Sequence, residues 1–105
     1  MLGMFLVVFR NRKRADIDVG DYETVSARME SLAREQSGYR SFKSYMADDG
    51  EFIALSEWDN EASAHGWGRL AEHAVAQANG RARYYASYTL FACPDPRIHR
   101  FERQA

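Results

Sequence analysis

A single cysteine, Cys93, leaves this chain of 105 residues without an internal disulfide. With no recognisable secretion signal, one unpaired thiol favours a reducing, cytoplasmic setting. Charge of one sign is lacking too: the formal net charge is −1, which gives no electrostatic case for a nucleic-acid or membrane partner. Of the 14 basic residues only Lys13 and Lys43 are lysines, and the arginines are spread through every segment rather than gathered in a stripe. Long apolar runs are also missing. The opening "MLGMFLVVF" is far short of the roughly 20 residues a membrane helix needs. Internal repeats and low-complexity segments are absent. The three histidines, His65, His73 and His99, are too widely spaced for a zinc site and have no cysteine partner at ligand spacing, so no metal is expected. Neither a Gly-x-Ser-x-Gly nucleophile turn nor a phosphate-binding glycine loop occurs.

What is present reads as alternating elements. "MFLVVFR", Met4 to Arg10, is a β-branched and aromatic strand, followed by a charged loop, "NRKRADIDVGD". Asp21 is the expected cap of a first helix carrying Tyr22, Val25, Met29, Leu32 and Ala33 at helical spacing, which ends at Ser37-Gly38. "YRSFKSYMA" and "EFIALSEW" flank Asp48-Asp49-Gly50, a hairpin signal. Asp59 or Asn60 caps a short helix. Gly66 and Gly68 bracket Trp67, predicting a bend before a second helical piece over about 69–79 that ends at Gly80. "RYYASYTLFAC", Arg83 to Cys93, is a final strand stopped by Pro94 and Pro96.

This order, β-α-β-β-α-β, is the ferredoxin-like split βαβ arrangement, an α+β fold with both helices on one face of a four-stranded antiparallel sheet. One domain over 1–105 is expected, with a core from about 4 to 93 and a tail over 94–105. Both faces of the strands are apolar: Phe5, Val7 and Phe9 against Leu6 and Val8, and Phe52, Ala54 and Trp58 against Ile53 and Leu55. A half-solvated antiparallel strand alternates with polar residues instead. The open face is therefore expected to pack on a second copy, giving a homodimer.

On the last helix Trp67, Leu70, Ala71, Ala74 and Ala78 form an apolar stripe, flanked at intervals of four residues by His73, Gln77 and Arg81. Two readings of that flank stand. Its polar groups satisfy hydrogen bonds at the edge of a core, or they line a pocket between helix and sheet. Trp58, Trp67, Tyr84, Tyr85 and Tyr88 would give such a pocket aromatic walls.

The element order, "SEWDNEASAHGW", and Trp67 followed by "AEHAVAQANGRARYY" resemble the antibiotic biosynthesis monooxygenase family of dimeric α+β barrels, over roughly Phe5 to Phe91. The most specific part is Trp58, Trp67, Ala71-Glu72-His73, Gln77 and Gly80-Arg81. The resemblance implies a ferredoxin-like dimer with a ligand pocket between helices and sheet, and two activities. Cofactor-free members oxygenate phenolic polyketides through a substrate carbanion that reduces O₂ directly. Their strand-ending Trp, matched by Trp58, has an Asn four residues before and a Tyr six residues after. Here those positions hold Ala54 and Ala64. For this chain the resemblance thus implies a small-molecule-binding dimer, cofactor-independent, acting on an aromatic or phenolic ligand. His73 is the expected base, and Trp58, Trp67, Gln77, Arg81 and Tyr88 are the expected substrate contacts. The alternative is a non-catalytic binding or protective module. Haem-degrading members carry an Asn after the first strand, matched by Asn11, and a Trp matched by Trp67. Their His falls near Gln77, so His73 is one turn, about 5 Å, from the position a haem ligand needs.

Overall fold

In a computed structural model, described here for residues 3–77 and 83–104 with only the backbone given at 72–77, the elements follow the expected order. They are β1 (Phe5–Lys13), α1 (Val19–Arg34), β2 (Tyr39–Met46), β3 (Phe52–Trp58), α2 (Glu61–Gln77) and β4 (Tyr85–Pro94). The four strands form one sheet in the order β2-β3-β1-β4, and every neighbouring pair is antiparallel. Two helices beside a four-stranded antiparallel sheet are the ferredoxin-like α+β fold. Among the described residues no helix is long and apolar enough to cross a membrane.

Several boundaries differ from expectation. β1 does not stop at Arg10 but continues through Asn11, Arg12 and Lys13. Period-two alternation persists there in polar side chains. Asn11 and Lys13 follow Val7 and Phe9 onto the helix side. Arg10 and Arg12 turn to the other side, where they pair with Glu51 at 3.0 Å and Asp49 at 2.8 Å from the β2–β3 turn. The expected charged loop is therefore a strand held by its hairpin neighbour.

The cap of α1 is Asp18, whose side chain accepts from the Asp21 backbone N–H at 3.0 Å. Asp21 instead sits in the first helical turn, where a negative charge suits the helix N-terminus. Asn60 caps α2 by accepting from the Ser63 N–H at 2.9 Å. From there the helix runs unbroken through Gly66 and Gly68. Neither glycine has a positive φ, and the cost of each, roughly 1 kcal/mol relative to Ala, is opposed by the tie that Trp67 between them makes to the Met29 carbonyl of α1. The last strand begins at Tyr85, two residues later than expected, and includes Pro94.

The core gathers at one end of the sheet. Phe5 and Trp58 are cross-strand partners, and with Val7, Ala33 and Ala64 they form the buried cluster. Ala33 and Ala64 bring small side chains from the two helices, so the backbones approach closely over Trp58. Gly38 permits the same closeness. Its φ is +88, and a Cβ there would lie 2.3 Å from Ser63 Oγ. On the far side of the sheet Tyr45 and Phe91 stay exposed, next to Leu6, Val8, Ile53 and Leu55 by strand alternation. Beyond Pro94 the chain is irregular, with Ile98 and Phe101 exposed.

Candidate functional site

At the other end of the sheet the helices stand away from the strands and leave a cavity of about 1240 Å³. That is at or above the upper end for small-molecule sites, roughly 300–1,000 Å³. Its floor is the helix-side row of the sheet: Val7, Phe9, Asn11 and Lys13 of β1, Phe52 and Ala54 of β3, and Tyr88 and Leu90 of β4. Its roof is Tyr22, Ser26 and Met29 of α1 and Trp67, Gly68 and Ala71 of α2.

Two tryptophans fix where the closed end stops and the cavity begins. Trp58 has no exposed surface; its indole N–H donates to Ser56 Oγ at 2.9 Å. Trp67 stacks on it with ring centroids 5.5 Å apart. The Trp67 indole N–H donates to the Met29 carbonyl at 2.9 Å, tying α2 to α1. The outer side of Trp67 then faces the cavity. Trp58, expected as a pocket wall, stands behind Trp67 and does not line the cavity, because its ring is enclosed by the core. Trp67 and Tyr88 both line it. Of the flank singled out in the sequence, the side chains of His73 and Gln77 lie outside the described residues, as does Arg81 altogether.

Sequence reasoning missed Lys13. It lies on the cavity floor with Nζ 3.9 Å from the Phe52 ring centroid, 4.6 Å from that of Tyr22 and 5.9 Å from that of Tyr85. It also donates to Asn11 Oδ1. Burial lowers its ammonium from an ordinary 10.5 to about 8. Burial likewise raises the Tyr22 phenol. Burial, with the Tyr22 phenol beside it, holds Tyr85 well above the usual tyrosine range, so both phenols remain neutral. The signal that could have found Lys13 is the alternation Val7, Phe9, Asn11, Lys13, once the polar residues are read as strand. Among the described residues no three His, Cys, Asp or Glu side chains gather into a metal site.

The depressed lysine has a thermodynamic consequence. Below about 8 the folded protein carries the full cost of a half-buried ammonium, and that cost fades as pH rises from 8 towards the unfolded value of 10.5. Lys13→Met should therefore be more stable than wild type at pH 7, by about 1 kcal/mol after allowance for water reaching the side chain. The difference should close as pH approaches 10.5. Paired denaturant titrations across this range check it; a gap that stays constant with pH would contradict the assignment.

Comparison with known proteins places this chain in a wider group. Residues 4–79 match the family model for antibiotic biosynthesis monooxygenase. An uncharacterized protein of Bacillus subtilis, YqjZ, is 33% identical over 100 residues, covering 95% of this chain and 81% of that protein. A conserved protein from Methanosarcina mazei superposes with a TM-score of 0.72 at 12% identity, over 88% of this chain and 92% of its own. A variant of SnoaB from Streptomyces nogalater, a cofactor-independent oxygenase, superposes at 0.65 with 16% identity, over 85% of this chain and 91% of its own. The solved structures share the fold, while the match over residues 4–79 and the Bacillus relative carry the assignment: this chain belongs to the antibiotic biosynthesis monooxygenase family.

Proposed function

We propose that this protein binds a flat aromatic or phenolic small molecule in the cavity between helices and sheet, and oxygenates it without a cofactor. The observation that carries the reading is the cavity itself: about 1240 Å³, walled by Phe9, Phe42, Phe52, Trp67, Tyr85 and Tyr88, with Asn11 and Lys13 as polar groups on its floor. Apolar walls with a few placed polar groups suit a fused-ring ligand. The SnoaB likeness supports cofactor-free chemistry, since that protein is a cofactor-independent oxygenase. In such a reaction a ring methylene loses a proton, the carbanion passes electrons to O₂, and the methylene becomes a carbonyl with release of one water. His73 is the base in this proposal, since a neutral imidazole has a suitable intrinsic pKa near 6.5; Gln77 and Arg81 are further ligand contacts.

A second reading, a binding or protective module without turnover, is favoured by two alanines. Ala54 presents a methyl to the cavity, and Ala64 is 5% exposed within the core. Neither can donate a hydrogen bond to an intermediate. Oxygen uptake with a panel of anthrone-like phenols separates the readings. Uptake is expected, and His73→Ala should abolish it; near-wild-type rates in that variant would refute the base. Tight binding across the panel with no uptake would establish the second reading instead. Titration with haemin should give no shifted Soret band.

We further propose that the apolar outer face of the sheet, with Tyr45 and Phe91 exposed, packs on a second copy of the chain in a cytoplasmic homodimer. Exposed apolar patches of this kind mark association surfaces. Sedimentation at micromolar concentration should give a dimer, and Phe91→Lys should shift it to monomer. A wild-type monomer would contradict the proposal.

A further inference from the structure

Among the described residues the cavity floor carries a cation without an anion. Lys13 has three N–H donors, and one goes to Asn11 Oδ1. The rings of Phe52, Tyr22 and Tyr85 attract the ammonium, but a ring face does not neutralise it. No carboxylate among the described residues pairs with Lys13. Glu30 on α1 is taken by Arg34, and Glu23 on the same helix is exposed. The other titratable or charged side chains on the cavity wall are Tyr22, Tyr85, Tyr88 and Arg69. None of these supplies a counter-ion, since Arg69 is itself cationic and the buried phenols of Tyr22 and Tyr85 stay protonated.

Asn11 adds to this imbalance. It is 4% exposed, lines the cavity and uses its oxygen on Lys13. Its amide nitrogen donates to no described residue. No buried side-chain polar atom among the described residues lacks a partner, so these spare donors open onto the cavity rather than being sealed off. Two neighbouring side chains thus present donors to one largely apolar space; the partner that suits them is an acceptor, and the ammonium favours one with negative charge.

We propose that the ligand is a fused-ring phenol bound as its phenolate, with the anionic oxygen seated against Lys13 Nζ and the Asn11 amide. This rests on the aromatic-ligand reading above and adds to it the ionisation state and the residues that select it. The bound phenol releases its proton to solvent, and Lys13 holds the phenolate oxygen. The same pairing excludes neutral polycyclic hydrocarbons of equal shape, which would leave the ammonium unpaired.

Alizarin, a dihydroxyanthraquinone whose colour reports its ionisation, tests the proposal. Absorbance titrations are run on the free dye and on the dye bound to wild type, Lys13→Met, Lys13→Arg and Gly68→Leu. In wild type the bound dye should ionise about one pH unit below the free dye, equivalent to a tenfold preference for phenolate. Lys13→Met should still bind the neutral dye but lose the shift, and Lys13→Arg should retain it. Gly68→Leu places a side chain where a Cβ meets nothing within 4 Å, fills cavity space and should weaken binding of both forms. A dye that binds wild type yet ionises no more readily than in solution, or equally in Lys13→Met, would overturn the Lys13 assignment and leave the aromatic cavity standing. Failure of the dye to bind, or binding unaffected by Gly68→Leu, would overturn both.

Discussion

The stacked pair Trp58–Trp67 is the constraint on which the rest of the structure depends. Trp58 ends β3, is fully buried and satisfies its one donor on Ser56. Burying so large an indole is worth several kcal/mol, and its truncation to Ala would cost about 3–5 kcal/mol. Trp67 uses its own donor on the Met29 carbonyl and so binds α2 to α1 at that level. Below the stack, Phe5, Ala33 and Ala64 close the space between helices and sheet. Above it, among the described residues, the layers meet again at the rim, where Tyr22 of α1 reaches Lys13 and Tyr85, and the cavity opens between. Core and cavity thus occupy opposite ends of the same sheet face.

The division follows from β1. Its helix-side row runs Phe5, Val7, Phe9, Asn11, Lys13, from apolar to polar along a single strand. Phe5 belongs to the core, Val7 to both core and cavity floor, and the last three to the cavity. The outward row runs Leu6, Val8, Arg10, Arg12, and its arginines anchor the β2–β3 turn through Glu51 and Asp49. Those exposed pairs add little stability by themselves. Their effect is positional: they keep the end of β1 in the sheet, and so keep Asn11 and Lys13 aimed at the cavity.

Much of this was legible in the sequence. Asp48-Asp49-Gly50 announces the hairpin, and Gly50 does adopt a positive φ of 89. The element order and the two apolar faces could be read from periodicity; of the five expected aromatic walls, Trp67, Tyr85 and Tyr88 line the cavity, while Trp58 and Tyr84 are buried away from it. The end of β1 could not, because four successive polar residues look like a solvated loop unless their alternation is weighed against a neighbouring strand. The continuity of α2 was hidden by Gly66 and Gly68, whose weak helix propensity is overridden by packing. Trp58 illustrates a further limit. A strand-ending tryptophan reads equally well as core or pocket, and only the position of Trp67 in front of it decides.

The central claim is that a planar ligand occupies the space between Trp67 and the sheet. Its most direct test is a crystal structure of the protein purified from its own host. Planar density bounded by Trp67, Tyr88 and Phe9, with a polar atom near Lys13 and Asn11, is the result expected. A cavity closed by packed protein side chains, or a bound molecule on the outer face of the sheet instead, would contradict it.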